Sequence, residues 1–189
     1  MTMRFLRLFC LALSVLASAL IAGFFYAYHC SVMPGLAATD AVSAIKAMQG
    51  INAVVRNAVF AFSFFGTLAF GGIAILLLIG AGSWPLALAL LGTAIFGLGA
   101  FMVTLLYSVP LNEGLANIVP TAENAAAIWQ AYLEPWMFWN TLRMVMSVLT
   151  LAAFTASLVM LIARAPSAGV SALSLTPPDR ASTPPSNPH

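Results

Sequence analysis

Long apolar runs alternate with short polar stretches along the chain. Residues 8–39, 57–112 and 144–163 contain no Asp, Glu, Lys or Arg. A helix that crosses a bilayer needs about 20 apolar residues, so these runs have room for one, two and one spans. The pattern therefore predicts four membrane spans, at residues 6–28, 58–79, 86–107 and 143–163.

The first three spans depend on how two local signals are interpreted. The segment from Gly80 to Pro85 divides the long middle run, because Gly and Pro are the strongest local breakers of a helix. The first run also has features of a secretory signal peptide, since the sequence Ala17-Ser18-Ala19 resembles a cleavage site. Its apolar residues continue to Tyr28, which is too long for a signal core. We therefore expect a retained membrane helix.

The first of two longer polar connections, residues 29–57, predicts a helix at the membrane surface. Asp40 is a natural N-cap, with Thr39 as the alternative. In the helix that follows, polar and apolar residues fall on opposite faces. The polar residues are Lys46, Gln49, Asn52 and Arg56, and the apolar ones are Met48, Ile51, Val55 and Phe62.

The second connection, residues 108–142, predicts a similar interfacial helix. Pro110 favours a helix start, and Pro135 is expected to kink or interrupt the helix that follows Pro120. Aromatic and polar residues recur there with helical spacing; they are Trp129, Tyr132, Leu133, Trp136, Trp139, Asn140 and Arg143. The predicted fold is an all-α integral membrane four-helix bundle with two interfacial helical connections at its outer face.

The two halves of the chain carry similar features in the same order. Each half has a span, then a Ser-Val-(Met)-Pro motif with Gly-Leu-Ala, then an amphipathic segment that ends in an Asn and an Arg, then a span. This order is that of a tandem two-span repeat, whose copies would be related by an axis along the membrane normal. The gaps between the matched pieces differ in length, so two unrelated halves remain the alternative.

The composition agrees with a membrane protein and indicates its orientation. The chain is 62% hydrophobic and 6% charged, whereas soluble domains carry about 25% charged residues. Basic residues flank the first and last spans, so both termini are expected in the cytoplasm; these residues are Arg4, Arg7, Arg164 and Arg180. We expect a multi-pass protein of a bacterial inner membrane, with residues 1–164 as the membrane domain and residues 165–189 as a disordered cytoplasmic tail rich in Pro and Ser. The net charge of +2 does not favour nucleic acid as a partner.

Arg143 is the most conspicuous polar residue, because it stands at the start of the last span in a chain with few charges. It is either an interfacial anchor within an aromatic belt or a cation that binds an anionic oxygen or pairs with Glu113 or Glu134. The nearby Trp residues have the same two interpretations. They form a belt at the headgroup level, or they offer flat faces to a planar aromatic ligand.

His29 is the one histidine outside residues 165–189. It is either the C-terminal residue of its helix, bonded to the last carbonyls, or a general base. No HxxxH, CxxC or ExxH spacing accompanies it, so we predict no cofactor. A composite metal site of His29, Cys30, Met33 and a distant Glu is not excluded.

Short motifs follow one another in a specific order. They are Tyr26-Ala-Tyr28, Ser31 to Leu36, Asp40, Asn52, Asn57, Val109 to Asn112, Trp129, Tyr132, Trp136, Trp139-Asn140 and Arg143. Over residues 20–160 this combination resembles the anthrone oxygenase-like family of small four-span membrane proteins. Ser108 stands where that family usually has Asn, and Met144 stands where Thr is commoner; both differences touch the expected pocket.

The resemblance implies oxidation of a planar lipophilic, polyketide-type substrate by dioxygen, as in the conversion of anthrones to anthraquinones. An anthrone has an acidic CH2 between two aromatic rings, and its anion reacts with dioxygen without an obligatory metal. The protein then needs a base, an anion stabiliser and a flat slot. We assign His29 as the base, with Glu113 second, and Arg143 as the catalytic cation. The substrate-binding candidates are Asn52, Asn112, Trp129, Tyr132, Trp136, Trp139 and Asn140.

Two other classes of function remain open. A non-catalytic quinone- or lipid-binding subunit of a membrane complex would need the same slot without the base. A small transporter would need polar groups along a path through the membrane, but the span centres contain nothing more polar than Ser and Thr. The expected partners are the lipid bilayer and a hydrophobic planar small molecule, and a homo-oligomer is compatible with the sequence.

Overall fold

The computed structural model describes residues 2–164, which form helices without a strand. The tail predicted to be disordered, residues 165–189, lies outside the described residues. We label the helices α1 (Thr2–Ala37), α2 (Ala41–Val54), α3 (Ala58–Leu78), α4 (Ser83–Ala116) and α5 (Ala125–Ala163). All except α2 are long and apolar enough to cross a membrane. The prediction of an all-α four-span membrane bundle is confirmed.

The four long helices form a ring in which α1 and α4 each pack against both α3 and α5. At one end, called the terminal end, Arg7 Nε donates a hydrogen bond to the Leu77 carbonyl at 2.6 Å. Arg164 Nη1 donates to the Ala81 carbonyl of the α3–α4 turn at 3.4 Å. The start of α1, the α3–α4 turn and the end of α5 therefore lie together, and the two longer connections lie at the opposite end, called the connection end.

Both α1 and α4 extend beyond the predicted spans, so the prediction that the first helix ends near His29 was wrong. In each, a segment with π-helical hydrogen bonds, Tyr28–Val32 or Thr104–Ser108, comes just before a proline. A proline inside an α-helix loses its N–H and clashes with the carbonyl of the preceding turn. The wider π-turn accommodates Pro34 and Pro110 and lets both helices continue.

Pro135 was expected to kink or interrupt the helix of the second connection. An interruption was wrong, because α5 is one helix of 39 residues that contains Pro135. In the first half of the chain the corresponding stretch is divided between α2 and α3. There Asn57 Oδ1 accepts hydrogen bonds from the N–H groups of Val59 and Phe60, both at 3.0 Å. Both halves thus pair a π-turned helix with a long helical stretch. The tandem repeat stays a prediction.

The helix α2 begins as predicted at Asp40, whose Oδ1 accepts a hydrogen bond from the Ser43 N–H at 2.9 Å. Hydrogen bonds from the Ser43 backbone and hydroxyl hold the pKa of Asp40 below its ordinary value. On its inner side α2 packs on the aromatic part of α5, and Gln49 Nε2 donates to the carbonyls of Leu115 and Ile118 at 2.8 and 2.9 Å. These contacts make α2 a cover over the connection end of the bundle.

Candidate functional site

A cavity of about 100 Å³ lies under α2, between α1, α4 and α5. We call it the inner cavity. Its apolar wall includes Phe24, Phe25 and Phe60. Its polar wall consists of Tyr28, Asn52, Arg56, Thr104, Ser108, Asn112, Trp136 and Arg143.

Arg143 is the buried cation of the inner cavity, with 5% of its surface exposed. Its Cζ lies 4.5 Å from the ring centre of Phe25 and 5.4 Å from that of Trp136. Nη2 donates to Asn140 Oδ1 at 3.2 Å, and Nη1 makes a long contact of 3.4 Å with Thr104 Oγ1. The guanidinium is thus held by two aromatic faces and two neutral oxygens.

No carboxylate among residues 2–164 pairs with Arg143. Glu113, one of its two predicted partners, instead forms an exposed ion pair with Arg56, at 3.5 Å between Nη2 and Oε1. Glu134, the other, points to the exposed side of α5. The interfacial-anchor interpretation does not fit either, because an anchor needs an arginine that reaches out of the bundle.

Several polar atoms of the cavity wall have no hydrogen-bond partner among the described residues. They are Arg143 Nε, Asn52 Nδ2 and Ser108 Oγ. The large majority of buried polar side-chain atoms in native proteins have a partner, so three together at one cavity indicate a place where a ligand or water binds. The Asn52 amide lies near the Tyr132 hydroxyl, whose hydrogen bond goes to Asn112.

Asn112 and Asn140 hold the walls of the cavity together. Asn112 Oδ1 accepts hydrogen bonds from the Tyr132 hydroxyl at 2.8 Å and from Trp136 Nε1 at 3.0 Å, which join α4 to α5. Asn140 Nδ2 donates to the Phe25 carbonyl at 3.0 Å, just before the π-turn of α1. A π-turn changes the register of the backbone hydrogen bonds, and this side chain supplies a donor there. Both residues position the groups that line the cavity.

The aromatic residues predicted to form one wall are divided by the structure. Trp136 lines the inner cavity, and Trp129 and Tyr132 are buried beneath α2. Trp139 lies in a groove on the outer side of α4 and α5, where it stacks on Tyr107 at 3.7 Å between ring centres. The helical repeat explains the division, because positions 129, 132, 136, 140 and 143 share the buried face and position 139 does not.

Neither predicted base lines the inner cavity. His29 is half-buried, and its Nδ1 lies 3.1 Å from the hydroxyl of Thr141, which also bonds the Met137 carbonyl. Glu113 is exposed at the connection end. Its carboxylate borders a polar cleft of about 190 Å³ that shares Asn52, Arg56 and Asn112 with the inner cavity.

A second, larger opening lies on the side of the bundle. This lateral cleft of about 560 Å³ runs between α1, α2 and α3 and is mostly apolar, with Tyr28, Asn57 and Ser63 as its polar residues. It shares five residues with the inner cavity, namely Phe24, Tyr28, Ile51, Val55 and Phe60. The inner cavity thus adjoins an apolar cleft at the side of the bundle and a polar cleft at the connection end, with the shared residues as walls between them.

Sequence patterns missed part of this site. Phe25, Tyr28 and Thr104 were not among the predicted site residues, although all three contact or line the region around Arg143. Thr104 and Ser108 lie four residues apart in an otherwise apolar run, which is the signal that would have found them. Within residues 2–164 no three His, Cys, Asp or Glu side chains come together.

Comparison with known proteins identifies a family. The sequence model of the anthrone oxygenase family matches residues 58–156, from the start of α3 into the second half of α5. The matched part contains Asn112, Trp136 and Arg143, whereas His29 and Asn52 lie before it. No curated protein and no solved structure matches the chain.

Proposed function

The chain belongs to the anthrone oxygenase family, and from this premise we propose that it oxidises a planar, lipophilic aromatic substrate with dioxygen. The observation that carries the proposal is the inner cavity itself. It combines a buried cation, Arg143, with unpartnered polar atoms, and it adjoins the large lateral cleft. This arrangement suits a flat apolar molecule that develops negative charge on one oxygen.

The volumes of the lateral cleft and the inner cavity indicate which part of the substrate each can hold. Small-molecule pockets usually measure about 300–1,000 Å³, so the lateral cleft can hold a fused ring system and the inner cavity cannot. The oxygen-bearing edge of the ring system would lie in the inner cavity. Phe24, Tyr28 and Phe60, which line both spaces, would contact the rings. Because the lateral cleft opens at the side of the bundle, a substrate dissolved in the bilayer can reach it directly.

The reaction balances without a further reductant. Removal of one proton from the CH2 between two aryl rings gives an anion, whose charge spreads onto the ring oxygen near Arg143. The anion gives an electron to dioxygen, a carbon–oxygen bond forms, and the resulting hydroperoxide loses water to leave a carbonyl. One CH2 and one dioxygen become one C=O and one water.

The proton needs an acceptor, and the polar cleft supports Glu113 for this role. Its carboxylate borders the same cleft as Asn52 and Asn112, which also line the inner cavity. A water chain in this cleft would carry the proton to Glu113 and then to solvent. His29 stays a prediction as the base, because its ring lies against Thr141 and not at the cavity wall.

The alternative function is non-catalytic binding of a quinone. One observation favours it, namely that neither His29 nor any carboxylate of residues 2–164 lines the inner cavity. Such a protein would bind an anthraquinone and would not consume dioxygen.

We place the protein in a bacterial inner membrane with the terminal end in the cytoplasm. Arg7 and Arg164 both lie at this end, and basic residues favour the cytoplasmic side. The polar cleft would then open on the opposite face.

The test is dioxygen consumption by the purified protein in nanodiscs with 1,8-dihydroxyanthrone, measured against empty nanodiscs to correct for autoxidation. The wild-type protein should consume one dioxygen per anthrone. Arg143→Gln should lower the rate by about 100-fold, whereas Arg7→Gln, the same change at the terminal end, should not alter it. Glu113→Gln and His29→Ala compare the two candidate bases, and the rate should fall in the variant that lacks the base. No consumption above empty nanodiscs, together with intact anthraquinone binding, would favour the alternative.

A further inference from the structure

We propose that the inner cavity binds its ligand through an oxygen that is already ionised, so that the ligand is a lipophilic phenol bound as its anion. The proposal rests on the proposed function for the planar ring system of the ligand. The negative charge is argued from the cavity alone. It also holds if the protein binds its ligand without oxidising it.

The first argument is the balance of charge. The guanidinium of Arg143 is buried, and within residues 2–164 the only other charged residue of the cavity wall is Arg56, an exposed cation that is already paired with Glu113. The titratable groups that face Arg143 from α1 and α5 are the neutral phenols Tyr28 and Tyr132, and α4 contributes Thr104, a hydroxyl. A buried cation without a counterion is costly. An anionic ligand would supply the missing charge.

The second argument is the balance of donors and acceptors. Arg143 Nε and Asn52 Nδ2 can only donate hydrogen bonds, and Ser108 Oγ can do so; all three have no partner among the described residues. The Asn112 side-chain oxygen already accepts two hydrogen bonds. A neutral phenol would bring another donor to a wall that has spare donors. An ionised oxygen accepts from several donors at once and fits this wall better.

The third argument concerns the source of the oxyanion. A fatty-acid carboxylate from the bilayer and a phenolate present the same charge. The side chains at the junction with the lateral cleft favour the phenolate, because Phe24 and Phe60 pack edge-to-face at 5.2 Å and Tyr28 lies against Phe24. Flat aromatic faces such as these suit a ring more than an acyl chain.

The test uses 2-hydroxyanthraquinone, which is already a quinone and cannot undergo the proposed oxidation, and its methyl ether, 2-methoxyanthraquinone. Binding to the protein in nanodiscs is followed by visible absorbance, which shifts to longer wavelength when the phenol ionises. The phenol should bind at least about tenfold more tightly than the ether. The bound phenol should also ionise at a pH about one unit or more below its value in empty nanodiscs.

Variants test which residues lower the ionisation pH of the bound phenol and strengthen its binding. Arg143→Gln should abolish the shift in ionisation, and Asn52→Ala and Ser108→Ala should each weaken binding of the phenol about threefold or more without removing the cation. Arg7→Gln is the matched control. If Arg143→Gln does not fold, the two alanine variants and the ether comparison still decide the question.

Equal binding of phenol and ether, or an unchanged ionisation pH of the bound phenol, would overturn the proposal. Displacement of the phenol by oleate at equal concentration would overturn the assignment to a phenol. Because 2-hydroxyanthraquinone cannot be oxidised in the proposed reaction, a negative binding result would not affect the conclusion from dioxygen consumption. Conversely, absence of dioxygen consumption leaves this binding result intact.

Discussion

At the scale of the residue, the site depends on how one buried cation is held. Arg143 lies over the rings of Phe25 and Trp136 and has neutral oxygens at its tip. These contacts fix the plane of the guanidinium but do not neutralise it. The arrangement is costly to the folded protein and useful to a ligand, because every unpaired donor strengthens the binding of an anion.

This leads to a prediction about stability. Arg143→Met keeps the length and apolar contacts of the side chain and removes a buried charge that has no counterion. Replacing buried ionic groups with apolar residues is often neutral or stabilising by about 1–4 kcal/mol. We expect the free energy of unfolding of Arg143→Met to equal or exceed that of the wild type, with binding of 2-hydroxyanthraquinone lost. Thermal unfolding of the variant and the wild type in one detergent measures the free energy of unfolding. A decrease of more than about 2 kcal/mol in the variant would show that Arg143 is mainly structural.

The sequence indicated Arg143 and Asn140 because polar residues are rare in this chain and these two lie one turn apart. It did not separate Trp136 from Trp139, since both fit a broad helical face. The distinction depends on where α4 packs, with Asn112 bonding Trp136 and Tyr107 stacking on Trp139. Contacts between helices that are distant in sequence are not contained in a periodic pattern.

At the scale of the element, two features shape the site. The π-turns before Pro34 and Pro110 let α1 and α4 continue past their prolines and bring Tyr28 and Ser108 to the cavity wall. The break between α2 and α3 lets α2 turn over the connection end. The sequence predicted the cap at Asp40, because cap residues act locally, but the break was missed, since Phe62 was expected on the same continuous helix as Ile51. It did not predict the π-turns, since a proline after a long apolar run more commonly marks the end of a helix.

The break gives a prediction at this scale. Asn57 ends α2 and caps α3, because its side chain bonds the N–H groups of Val59 and Phe60 and the carbonyl of Val54. Asn57→Ala should lower the free energy of unfolding by about 1 kcal/mol, measured by thermal unfolding. Asn57→Asp keeps the capping oxygen and should retain most of the stability. If alanine is as stable as the wild type, the cap does not hold this junction.

At the scale of the whole molecule, the ring of four helices places a small cavity with a buried cation between two clefts of different character. The lateral cleft faces the side of the bundle and the polar cleft faces the connection end. The four spans were predictable because charges are absent from long runs of the sequence. The cavity was not, because its walls come from all five helices and depend on how these pack.

If this protein transfers oxygen from dioxygen to the substrate, isotope labelling identifies the source of the new carbonyl oxygen. The protein in nanodiscs is given 1,8-dihydroxyanthrone under 18O2, and the quinone is analysed by mass spectrometry at early times, with empty nanodiscs as the background. Each quinone should carry one 18O atom in its new carbonyl, and it should form well above the background rate with the wild type but not with Arg143→Gln. A new carbonyl that carries only 16O from water, or no quinone above the background, would contradict this transfer.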